Sequence, residues 1–275
     1  MIEVSIPTLH LFLPLDQKLI ELLKSLSDDE WNRPTVARLW MVKDVVAHLL
    51  DGNMRTLAAA QNYIGDPPGP INSYQDLVDY LNRLNADWVK AMKRVSPKML
   101  IELLEITQRP CIDYYHSLDL WATARFAVSW AGEQESKNWF HIAREYTERW
   151  HHQQQIREAV NKPGIMDRVF FFPLIQTFMM ALPNTYQNIE SPEGTTISVR
   201  VTGEAGGEWK IKRGRSEWKF SNDPGEVATT IELDPETSWK LFTKALQKDE
   251  AVERVKISGN QELGLPILKM LSVMA

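Results

Sequence analysis

The sequence predicts two domains of different class. Residues 1–162 read as an all-α, up-and-down four-helix bundle, and residues 163–275 as an α+β domain with a small antiparallel sheet. Three observations carry this. Apolar residues recur at helical spacing through the first 160 positions, they alternate at period two in short segments after position 194, and Pro163-Gly164 separates the two regimes. A chain of 275 residues has room for two ordinary domains.

The elements follow in order. PLDQKLIELLKSL (14–26) sets Leu15, Leu19, Leu22, Leu23 and Leu26 along one stripe, and SDDEW (27–31) reads as a turn with a short helical piece. A helix over 41–57 presents Val42, Val45, Val46, Leu49 and Leu50 as its apolar face. IGDPPGPIN (64–72) is a break. Ser73 then caps a helix to about Val95, with Tyr74, Leu77, Leu81, Leu84 and Trp88 on the buried side. SPKMLIELLEIT (96–107) starts another helix, 119–131 is assigned helical, and 136–161 closes the series. An apolar helix or linker fills 161–186. Strands are expected at 195–203, 207–214, 216–223 and 228–234, joined by turns. Asp234-Pro235 opens a helix to about Leu246, because aspartate at the cap and proline in the first turn both favour a start there. A strand at 255–259 and a helix over 260–273 end the chain.

Composition narrows the function. Hydrophobic residues make up 44% and charged residues 24%, the balance of a globular protein. The formal net charge is -5 and no basic patch is visible, which argues against a nucleic-acid partner; KIKRGR (210–215) reads as a hairpin tip. Cys111 is the single cysteine, so no intrachain disulfide forms; a small buried hydrophobe is its ordinary role and a nucleophile the rarer one. No leader pattern and no membrane-spanning run is seen, so a cytoplasmic protein with no membrane partner is expected. Ten tryptophans, most of them before position 151, suit packing between helices.

One helix carries chemistry. In HIAREYTERWHHQQQIREAV (141–160), His141, Glu145, Glu148 and His152 follow at +4, +3 and +4 and share a stripe beside Ile142, Tyr146, Trp150 and Ile156. Glu148 and His152, one turn apart, can converge on a cation, although such pairs are common on plain surfaces. In WMVKDVVAHLLDGN (40–53), His48 falls on the apolar stripe with Met41, Val45 and Leu49, and Gly52 leaves space one turn on. A histidine there is ordinarily a satisfied core residue. Two helices presenting ligands inward would supply His48, Glu148 and His152 to one divalent ion, with zinc or nickel foremost among the candidates. Three protein ligands leave positions open, as catalytic sites do. His151 is the rival to His152, about 100° around the helix. His141 and Glu145 are candidates to orient a ligand or to meet substrate.

These segments resemble the DinB-like domains, the maleylpyruvate isomerase N-terminal family. The carriers are Trp40 followed by Val45, His48, Leu49 and Asp51, and later the pair Glu148 and His152. The ending TIELDPETSWKLFTKAL and VKISGNQELGLPILKML is similar to the sterol-carrier-like second domain of the mycothiol-dependent isomerase. The resemblance implies that His48, Glu148 and His152 bind metal. It also implies that a low-molecular-weight thiol such as mycothiol adds to a small electrophilic substrate, permitting rotation about a former double bond before elimination. A thiol S-transferase is the related outcome, with the chain a monomer or homodimer. Two other readings stand beside it: a metal-dependent hydrolase using the same ligands, and a non-enzymatic protein that holds an apolar ligand in its second domain.

Overall fold

The computed structural model describes residues 5–274. They form two compact units: a helical one of residues 7–123 and 137–165, and a second of residues 5–6, 124–136 and 166–274. The sequence places a boundary at 162/163. In the structure the change of unit falls after Ile165, and the segment 124–136 clusters with the second unit.

The helical unit holds α1 (Leu9–Lys24), α2 (Val42–Ala60), α3 (Tyr74–Met92), α4 (Pro97–Ser117) and α5 (Asn138–Val160). Starts and stops are written locally. At α2 the Asp44 carboxylate accepts the Met41 N–H at 3.1 Å. At α3 the Ser73 hydroxyl accepts the Asp76 N–H at 3.1 Å while Asp76 accepts the Ser73 N–H at 2.9 Å, a reciprocal cap. At α4 Ser96 caps and Pro97 takes the first turn, where its missing N–H costs nothing. α5 ends as Asn161 turns left-handed at φ 55°. α1 packs on α4 and α5, and α2 packs on α3, α4 and α5. Between them Leu19, Leu22, Leu23, Val42, Val45, Val46, Leu50, Leu100, Leu104 and Ile156 are buried. Each such side chain contributes roughly 1.5–3 kcal/mol by leaving water.

Residues 119–131 are not a helix. Asp119 accepts the Trp121 N–H at 3.0 Å, a local bond that competes with a helical turn, and Thr123 bridges Lys137 in extended pairing. Only Ser129–Ala131 is helical there, as a 3-10 turn. In the second unit, the Asn184 amide donates to the Trp130 carbonyl at 3.1 Å. Gly132 follows at φ 83°, and a Cβ on it would meet Asn184 Oδ1 at 2.6 Å.

The apolar stretch 161–186 forms α6 (Arg168–Met179) and α7 (Leu182–Thr185). Strands β1 (Thr196–Val201), β2 (Gly207–Arg213), β3 (Trp218–Phe220), β4 (Thr229–Leu233) and β5 (Lys256–Gly259) make one sheet in the order β3-β2-β1-β4-β5. The sheet is mixed, which corrects the antiparallel expectation. The β2–β3 hairpin occupies one edge of β1, and the chain returns to the other edge with β4 parallel to β1. Ile197, Val199, Ile211, Ile231 and Leu233 are buried. Asp234 caps α8 (Pro235–Phe242) by accepting the Thr237 N–H at 2.8 Å. That helix stops short of Leu246 because Lys244 takes φ 64°. A further helix, α9 (Lys248–Arg254), follows it. The expected helix over 260–273 reduces to α10 (Gln261–Gly264) and a 3-10 turn at Leu265–Lys269, where Pro266 has no N–H to continue α-helical bonding.

Candidate metal centre

α2 is anchored by Val42, Val45, Val46 and Leu50, all buried in a core shared with residues of α1, α4 and α5. That packing leaves His48 on the flank of the core rather than in it; the side chain is half-buried. α5 buries Trp150 and Ile156 completely, which fixes the rotation of the helix and with it the direction of Glu148 and His152. One ligand atom from each of His48, Glu148 and His152 lies within 4.8 Å of the others. The His48 and His152 rings stand 4.6 Å apart at 73°, and Glu148 Oε2 is 3.5 Å from His152 Nε2. The Trp40 ring lies 4.8 Å from His48 and 6.1 Å from His152, walling one side.

The donor set fits a divalent ion. His48 Nδ1 is buried with no hydrogen-bond partner. Burial, with His152 beside it, pushes the His48 imidazole well below the ordinary histidine range, so it is neutral near pH 7 and keeps a lone pair. Burial alone would raise Glu148, yet the hydrogen bond to His152 and the nearby His151 and Arg144 hold it well below the usual carboxylate range. His152 Nδ1 lies 2.9 Å from Gln155 Oε1. Two imidazoles and a carboxylate at this separation could hold zinc, nickel or a related ion.

His151 lies outside this group. Its Nδ1 donates to the Thr147 carbonyl at 2.8 Å, its ring lies 3.9 Å from that of His152 at a tilt of 38°, and burial pushes it down to about 4. His141 and Glu145 form their own cluster: Arg144 donates to His141 Nδ1 at 2.9 Å and to Glu145 at 2.5 Å, and the Tyr115 hydroxyl lies 3.3 Å from Glu145. Cys111 is buried, donates to the Asn53 carbonyl at 3.4 Å, and is pushed up to about 11 by burial, so it is a packing residue. Sequence reasoning did not single out Gln155, although its +3 offset from His152 was legible, nor Arg144.

The family model described as the mycothiol maleylpyruvate isomerase N-terminal domain matches residues 12–157. The chain belongs to this family. The match takes in α2 and α5 as far as Arg157, and with them all three converging residues. Two solved structures resemble the chain, both titled as mycothiol-dependent maleylpyruvate isomerase. A mutant form aligns at TM-score 0.54 and 9% identity, over 91% of this chain and 91% of its own. The other aligns at TM-score 0.50 and 10% identity, again over 91% of each. At such identities the likeness is one of fold. No curated protein matches the sequence. Among the described residues no helix is long and apolar enough to cross a membrane.

Proposed function

We propose that this member of the maleylpyruvate isomerase N-terminal family is a divalent-metal-dependent enzyme. It activates a low-molecular-weight thiol for addition to a small electrophile, as a maleylpyruvate-type isomerase or a thiol S-transferase. The observation that supports this reading is the convergence of His48, Glu148 and His152 within 4.8 Å, in a chain of that family. These three residues would hold the ion, with zinc or nickel the best matches to the donors. A bound ion supplies Lewis acidity that makes a thiol or water more acidic.

The chain's own groups set the conditions. Glu148 brings the single negative charge, neutral His48 brings a lone pair, His152 adds a second imidazole, and Trp40 walls one side. His141 and Glu145, held by Arg144, would orient a ligand or border the substrate one turn or more along α5. In this reading residues 1–162 act as a four-helix bundle of the DinB-like kind and 163–275 as a sterol-carrier-like domain, in a cytoplasmic protein.

The test is elemental analysis of wild type, His48→Ala and His152→Ala, with circular dichroism to establish folding. About one equivalent of metal in wild type and its loss from both folded variants is expected from a three-ligand site. Wild type purified from metal-supplemented cells without bound ion would sink the proposal. Product analysis with and without thiol then separates isomerase or transferase from hydrolase, since a hydrolase turns over without thiol.

A further inference from the structure

We propose that Gln155 is a positioning residue: its side-chain carbonyl fixes His152 as the Nδ1–H tautomer, so that Nε2 presents a lone pair to the space shared with His48 and Glu148. This rests on the metal-centre reading above and goes beyond it by assigning the group that orients one ligand. Gln155 is only 4% exposed, and its Oε1 lies 2.9 Å from His152 Nδ1. A neutral imidazole carries one proton. If Nδ1 donates to the amide oxygen, Nε2 is bare, and it faces Glu148 Oε2 across 3.5 Å. The contact that is an Nε2–H bond to Glu148 when the ring carries both protons is then open, and a cation between the two atoms can take that proton's place.

The other tautomer builds a different object. With the proton on Nε2, the Gln155 amide would turn to donate its N–H to Nδ1, and His152 would donate to Glu148. That closes a hydrogen-bonded chain ending on the Glu148 carboxylate, with no vacancy for an ion. The direction of one buried amide therefore separates a cation site from a structural pair. His151 shows the same device in local form, its Nδ1 held by the Thr147 carbonyl of its own helix. Gln155 supplies the acceptor from a side chain, which mutation can remove.

Two readouts test this. Long-range ¹⁵N–¹H NMR on metal-free, histidine-labelled protein near neutral pH reports which nitrogen of His152 carries the proton, with His152→Gln to assign the signal. Nδ1–H is expected in wild type and in Gln155→Glu, whose carboxylate keeps the acceptor. Gln155→Leu should move the ring toward Nε2–H and weaken zinc binding, measured by chelator competition, about 10–100-fold. Gln155→Glu should bind zinc at least as tightly as wild type. An Nε2–H tautomer in wild type, or unchanged zinc affinity in folded Gln155→Leu, overturns the proposal. If wild type binds no zinc at all, the metal-centre reading fails, while the wild-type tautomer still decides the role of Gln155.

Discussion

A histidine's charge here is decided by what surrounds it. His141 sits among Arg144 and Glu145 of its own helix and Tyr115 of α4, whose ring lies 6.4 Å away. Burial first, then the Arg144 guanidinium, push it down to about 4, against the smaller pull of Glu145. The sign is fixed by the depressed folded value. Above pH 6.5 both folded and unfolded chains hold a neutral imidazole. As pH falls from 6.5 toward 4, the unfolded chain takes up a proton that the folded chain refuses, and stability drains away. At 1.36 kcal/mol per unit, the limit is on the order of 3 kcal/mol. Urea unfolding of metal-free protein should show a slope of this sign, to which depressed His48 and His151 also contribute, and His141→Gln should reduce it by the His141 share; an equal slope in both proteins would refute the assignment. His48, Glu148 and His152 were legible as residues because helical offsets and an apolar stripe mark faces. The charge states were not, since burial is a property of the packed chain.

At the scale of elements, one guanidinium sets the register of α5. Arg149 donates to both oxygens of Asp16 on α1 at 3.0 Å and to Asn53 Oδ1 on α2 at 2.7 Å. Asn53 in turn donates to Thr107 Oγ1 on α4 at 2.9 Å. Four helices are thus tied beside Glu148. Removing one partner leaves the other charge buried. Arg149→Met should therefore cost roughly 3–5 kcal/mol in chemical denaturation, and Asp16→Leu with Arg149→Met should recover most of it. A loss below about 1 kcal/mol for the single change would show that the pair is only a surface-grade bridge. Nothing in the sequence announces this network, because Asp16, Asn53 and Arg149 lie far apart and none is unusual where it stands. The helices themselves were readable from their 3.6-residue period and caps. Residues 119–131 were misread because Asp119 spends its side chain on a turn. The strands were readable too, but alternation marks a strand without naming its neighbour, so the parallel β1–β4 pairing was invisible.

For the whole molecule, two classes of periodicity revealed two units, whereas the membership of 124–136 is a tertiary fact with no local signature. All three candidate ligands fall in the helical unit, on α2 and α5, about a hundred residues apart in sequence. An ion held by both helices binds the folded unit and finds no such arrangement in the unfolded chain. It must then stabilise the fold by RT ln(1 + [M]/Kd), about 2.7 kcal/mol at a hundredfold excess over Kd. For a unit of this size each kcal/mol moves the melting point by roughly 2–4 °C, so the expected rise is about 5–10 °C. Thermal unfolding of chelator-treated protein should show this rise on adding zinc or nickel, and none in His48→Ala, which keeps the Glu148–His152 pair on a single helix but loses the clamp across two. A wild-type melting point indifferent to both ions would leave the three side chains as neighbours without a ligand. An equal rise in His48→Ala would place the ion on α5 alone.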